Sequence, residues 1–184
     1  MRGLMIRMFV IALLALVTPA VLLAQQARIG IVDMERAIVQ TVEGKKAEGT
    51  FTAKFEEYRK KIEGIQKQLE TDQTKLRTQE RVLNETVKAE LSRNITKGQT
   101  DLTRLQEDAQ KDLDTLRSEL MRPIAEVAEA VLNAYAKENN YTVIIDTSNP
   151  QNGSVVFVND KAEITDEIIK RIDAEMAKAP PKKP

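Results

Sequence analysis

Residues 51–120, FTAKFEEYRKKIEGIQKQLETDQTKLRTQERVLNETVKAELSRNITKGQTDLTRLQEDAQKDLDTLRSEL, decide the fold. Apolar residues fall at Phe51, Phe55, Tyr58, Ile62, Ile65, Leu69, Leu76 and Leu83, in alternating steps of four and three that lengthen to seven. That is the heptad stripe of a coiled-coil seam. A second stripe holds Leu91, Ile95, Leu102, Leu105, Ala109, Leu113, Leu116 and Leu120. The stripes match if the chain folds back between Arg81 and Glu85. Antiparallel neighbours then have residue numbers with a constant sum. This holds for Leu69 with Ile95, Ile62 with Leu102, Phe55 with Ala109 and Phe51 with Leu113; Tyr58 with Leu105 and Leu76 with Val87 fall one short. Large Phe55 opposite small Ala109 also suits packing. The alternative is one continuous helix in a parallel coiled coil; the shared register favours the hairpin. No proline lies between Pro19 and Pro123, so each arm helix, about 38 residues, can run about 55–60 Å at its 1.5 Å rise.

Upstream, Arg28–Asp33 alternates β-branched and other residues as a short strand, and Asp33 can cap the helix that follows. Downstream, Ile124, Val127, Ala128, Val131, Leu132 and Tyr135 form a wider apolar face, which implies burial in a body. Pro123 predicts a kink where arm meets body. Tyr141–Asp146 reads as a strand, Thr147–Gly153 as a loop and Ser154–Val158 as a third strand. A final helix begins at Thr165, expected to be its cap, and presents Ile168, Ile169, Ile172 and Met176.

The first residues read as a secretory signal. Arg2 and Arg7 precede the uncharged run Met8–Val17, then Thr18-Pro19-Ala20 and Val21-Leu22-Leu23-Ala24, with cleavage expected after Ala24. A membrane anchor is the competing reading, but Met8–Ala24 is at the low limit for spanning and Pro19 interrupts it. The predicted organisation is a signal peptide at 1–24, a discontinuous oligomerisation body at 25–43 plus 122–178, a helical hairpin arm at 44–121 with its tip near 81–85, and a disordered tail at 179–184. The fold class is α+β, mostly α. A body this small, without disulfides, is expected to oligomerise, which also covers its strand edges. Ile29, Ile31, Val143, Ile145, Val155 and Phe157 are its expected core and oligomer contacts.

Composition narrows the function. There is no cysteine and no histidine, which excludes Ser–His and Cys–His nucleophiles and His- or Cys-ligated metal sites. No glycine-rich phosphate loop occurs. Asp33, Asp146 and Asp160 lie near strand ends, where capping and turn formation account for them. No cofactor is expected, and the chain is read as non-enzymatic. Removing Arg2 and Arg7 from 28 Lys plus Arg leaves 26 against 28 Asp plus Glu; that argues against nucleic-acid binding. Membrane contact is expected to be peripheral at most.

Three stretches resemble a known family: Ile29-Gly30-Ile31-Val32-Asp33-Met34 at the first strand, Glu43-Gly44-Lys45-Lys46-Ala47 at the approach to the arm, and Tyr141–Asp146 with Val155–Val158 and Glu163–Ile169 at the close. Together with the signal peptide and arm length, they are similar to the Skp/OmpH periplasmic chaperones. The resemblance implies a homotrimer with a β-barrel-like body and three tentacles. It also implies ATP-independent holding of unfolded outer-membrane proteins in the periplasm. The slightly acidic mature chain departs from strongly basic members, so no lipopolysaccharide site is carried over. The rival reading is a trimeric coiled-coil spacer or envelope tether. The polar interruptions Asp72, Gln79, Gly98 and Asp112 favour a flexible arm instead. Phe51, Phe55, Tyr58, Ile62, Leu102 and Leu105 are the expected seam or client contacts. Gly64 and Gly98 stand nearly level in the hairpin and form a candidate hinge, with a packing gap expected at Gly98.

Overall fold

A computed structural model describes residues 27–149 and 155–178. The predicted signal peptide and tail lie outside the described residues, as does part of the loop before Val155. Strand β1 (Ile29–Val32) leads into helix α1 (Met34–Val39). Helices α2 (Val42–Thr78) and α3 (Glu85–Glu138) form the arm and its continuation into the body. Strand β2 (Val143–Asp146) and helix α4 (Thr165–Met176) complete the chain. The protein is α+β and mostly helical, a small body carrying one long antiparallel hairpin.

The hairpin forms where the apolar stripes require it. The turn is set slightly earlier than expected: α2 stops at Thr78, and Asn84 caps α3 by accepting from Val87 N–H at 2.9 Å. Helix α3 is 54 residues long and runs through Pro123 as one element. It stops at Asn139, followed by Asn140 at φ 54°, the left-handed conformation common just past a helix end. Arg28 Nη1 donates to Asn139 O at 2.8 Å, so a cation meets the negative end of the helix.

Strands β1 and β2 pair in parallel, with Ile29 level with Val143 and Val32 level with Asp146. A parallel pair needs a crossover; here the whole arm is that crossover. Helices cover one sheet face only. Val32, Ile124, Ala128, Ile164, Ile168 and Ile172 make the buried core, with Ile144 packed on it. The ring of Tyr141 lies over Gly30, where a Cβ would come within 2.9 Å of it.

One expectation about the body divides between core and surface, and another needs correction. Strand residues alternate between faces, and the helices cover the face of Gly30, Val32 and Ile144. Ile29, Val143 and Ile145 project from the other face and are exposed; of the expected core set only Ile31 is buried. The described part of the expected third strand, residues 155–158, is not strand, and Val156 and Phe157 are 94% and 84% exposed. The second edge of β1 is taken instead by residues 162–164. Ile31 N–H donates to Ala162 O at 2.8 Å, and Ile164 N–H to Ile31 O at 2.9 Å. Strand propensity at 154–158 finds no free edge of β1, because both are occupied.

Helix α4 ties the body together across more than a hundred residues. Thr165 does not cap its own helix. Its hydroxyl, fully buried, accepts from Asp33 N–H at 2.9 Å, while Glu163 Oε1 accepts from Thr165 N–H. Asp33 caps α1, as expected, through Arg36 N–H at 2.8 Å. Arg36 in turn bridges Glu163 and Asp166 at 3.1 and 3.0 Å.

Candidate functional site

The arm meets the body at a tight elbow. Thr41, fully buried, donates its hydroxyl to Ile38 O at 2.8 Å and accepts from Gly44 N–H at 2.9 Å. Gly44 lies so close to α1 that any side chain would overlap the carbonyls of Ile38 and Val39. Asp173 of α4 accepts from Val42 N–H at 2.8 Å, satisfying an orphan donor at the start of α2. The descending root is continuous helix, anchored by Ile124 and Ala128 in the core.

Along the shaft, α2 and α3 pack only on each other. Tyr58, Leu69, Leu91 and Ala109 are the buried seam residues. Ile62, Leu102 and Leu105 are half-buried, as is Phe51. Two of the expected pairs are displaced. The hydroxyl of Tyr58 donates to Asp112 Oδ2 at 2.5 Å, seven residues beyond Leu105. The side chain of Leu69 fills the space at Gly98, where a Cβ would stand 2.8 Å from its Cδ2. Both shifts run toward the root. Helical side chains lean toward the N-terminus of their own helix, and for α2 that end is the root. Leu69 therefore reaches past Ile95 to Gly98. The gap expected at Gly98 is a socket already filled, whereas Gly64 faces open space.

Charges on the shaft are settled within each helix. Glu57 holds Lys54 and Lys61 at 3.0 and 2.6 Å, and Arg59 holds Glu56 and Glu63. Hydrogen bonds from Lys61 and then Lys54 pull the Glu57 carboxyl down to about 2. The same two lysines sit 5.1 and 5.6 Å from the centre of the Tyr58 ring. The bond to Asp112 pushes the Tyr58 hydroxyl above its ordinary value. Among the described residues no group of acidic side chains could hold a metal ion, and no helix is long and apolar enough to cross a membrane.

Among the described residues, exposed large apolar side chains lie on the arm and on the body, with Val42 exposed at the elbow between them. On the arm, Phe55 is 47% exposed beside Ile62, Ala109 and Leu113, in a groove of about 500 Å³. Val82 at the tip is 81% exposed. The expected partnership of Phe55 with Ala109 thus leaves half the ring in solvent. On the body, Ile29, Val143, Ile145, Val155, Val156 and Phe157 are all exposed. Phe55, expected as seam or client contact, is both, packed on one side and open to solvent on the other.

Comparison with known proteins gives a consistent picture. The family described as outer membrane protein (OmpH-like) matches residues 28–172. The chain is similar in structure to a protein from Caulobacter crescentus CB15 assigned as an outer membrane chaperone (OmpH-like), with a TM-score of 0.63 at 13% identity, covering 81% of this chain and 85% of that one. No curated protein sequence matches.

Proposed function

We propose that this chain, which belongs to the OmpH-like outer membrane protein family, is an ATP-independent holding chaperone that keeps unfolded outer-membrane proteins from aggregating in the periplasm. One observation carries the reading: a two-helix arm about 55 Å long projects from the body with every face except its seam unpacked. Such an arm encloses nothing by itself. Several arms around a common body would form a cavity, and the exposed sheet face of Ile29, Val143 and Ile145 with Val155 and Phe157 is the surface available for that assembly. A homotrimer is the proposed state.

Holding then rests on many weak contacts multiplied by avidity. Phe55 and Val82 are the exposed apolar contacts of the arm, Phe51, Ile62, Leu102 and Leu105 lie half-buried beside the seam, and the abundant surface charge keeps the arm soluble. Gly64, with no packing to lose, is the proposed place for the shaft to bend. No nucleotide or metal is assigned a part in holding.

The test dilutes a urea-unfolded outer-membrane β-barrel protein into the purified chain without ATP. Suppressed light scattering and a trimer by sedimentation are expected. Scattering unchanged by the chain would remove the holding function and leave the spacer reading.

A further inference from the structure

We infer that Tyr58 and Asp112 form a register pin, a polar pair that selects one alignment of the two arm helices while the chain folds. Among the described residues, theirs is the one side-chain hydrogen bond that crosses between the arm helices, and no ion pair crosses; every arm ion pair joins residues three or four apart on one helix. The rest of the seam is mostly apolar, broken at Asp72 and Gln79, and repeats every seven residues. A seam of that kind defines alignment only up to a whole heptad, because a slip of seven sets apolar residues against apolar residues again.

The α3 residues in question lie on one column in steps of seven: Leu91, Gly98, Leu105, Asp112, Glu119. In the observed alignment Leu69 fills the space at Gly98 and Tyr58 reaches Asp112. A slip of one heptad toward the tip would put Leu69 against Leu91 and the Tyr58 hydroxyl against Leu105, so this partly buried donor loses its carboxylate and faces an apolar side chain. The opposite slip offers the hydroxyl Glu119, but sets Leu69 against Leu105 and forfeits the socket. The pin excludes the first alternative, and the socket excludes the second. The Tyr58 ring is steadied for this by Lys54 and Lys61, both held by Glu57.

Selection has to happen within the arm. The body contacts that would impose an alignment join residues far apart: Asp33 to Thr165 spans 132 positions and Arg28 to Thr142 spans 114, against 54 for Tyr58 to Asp112. Closing longer loops costs more entropy, and non-local contacts form late. The arm therefore zips before the body closes, and a slipped arm would bring Ala47 and Ile124 to the body out of level.

The chain has no cysteine, so exposed Lys67 and Thr103 can be replaced by cysteine for spin labels. Labelled chains are diluted with unlabelled chains, unfolded in urea and refolded, so that distances report within one chain. The unsubstituted pair should give one distance. The variant Y58L/D112L makes the seam wholly apolar there. It should fold with undiminished helix content yet add a second population displaced by about 10 Å along the arm, seven residues at 1.5 Å each. The milder Y58F should add a smaller one, since a charge-assisted hydrogen bond shifts the preference about tenfold, and it decides the matter should the double variant not fold. A single unshifted distance in these variants would overturn the pin, including when stability alone falls.

Discussion

The body and the arm are built on opposite principles. The body is knitted by contacts between residues distant in sequence. Thr165 caps the turn after β1, Asp173 caps the arm helix, and residues 162–164 flank β1. The arm repeats one local pattern, helical ion pairs outside and a thin seam inside, with a single polar crossing. A structure held by distant contacts resists deformation as a unit. A two-helix seam can bend at one point while the rest stays packed. Under the proposed holding function the root would serve as the fixed mount and the shaft as the compliant part.

The contrast can be broken by substitution. Ile168→Ala, at a fully buried core position, should cost about 4 kcal/mol in denaturant unfolding. Leu69→Ala should cost about half as much, because Gly98 leaves the arm free to relax; equal losses would mean the arm is as tightly built as the body. Gly44→Ala should cost about 3 kcal/mol, since its Cβ meets backbone carbonyls that cannot give way. Thr165→Val should cost about 2 kcal/mol by leaving the Asp33 amide without its acceptor. At Gly64, facing open space, alanine should instead stabilise the arm by about 1 kcal/mol. Thermal melts of the Gly44 and Gly64 variants should therefore move in opposite directions.

The smallest effect is in pH. Glu57 is depressed to about 2 from 4.5, so what it contributes is fully present above the usual carboxylate range and is lost as pH falls through about 2. Tyr58 is raised, so its share is present below the usual tyrosine range and is lost as pH rises through its higher folded value. Arm helicity should hold between these limits, and Y58F should remove the alkaline loss. Circular dichroism against pH reads both.

Much of this was legible in the residues. The heptad steps from Phe51 to Leu120 marked the hairpin because a repeated period needs no knowledge of the partner. Asp33 announced its cap because capping is local. What depended on direction or distance was not legible. Constant sums paired Leu69 with Ile95 but ignored the lean of side chains toward the root, which brings Leu69 to Gly98 and Tyr58 to Asp112. Val155–Val158 has strand composition, yet the edge of β1 that it would need is held by Ala162–Ile164. Alternation showed that Ile29 and Val32 face opposite ways, but which face the helices cover depended on where α3 and α4 land. Thr165 looked like a local cap and serves a distant amide. For the same reason the heptad position of Phe55 left open how its ring divides between seam and surface.

The most direct measurement is hydrogen exchange of the whole protein with and without an unfolded outer-membrane β-barrel protein. If the arm holds the client, amides within 44–121 should slow on binding while β1, β2 and α4 stay unchanged. Slowing confined to the body, with the arm unaffected, would contradict the account.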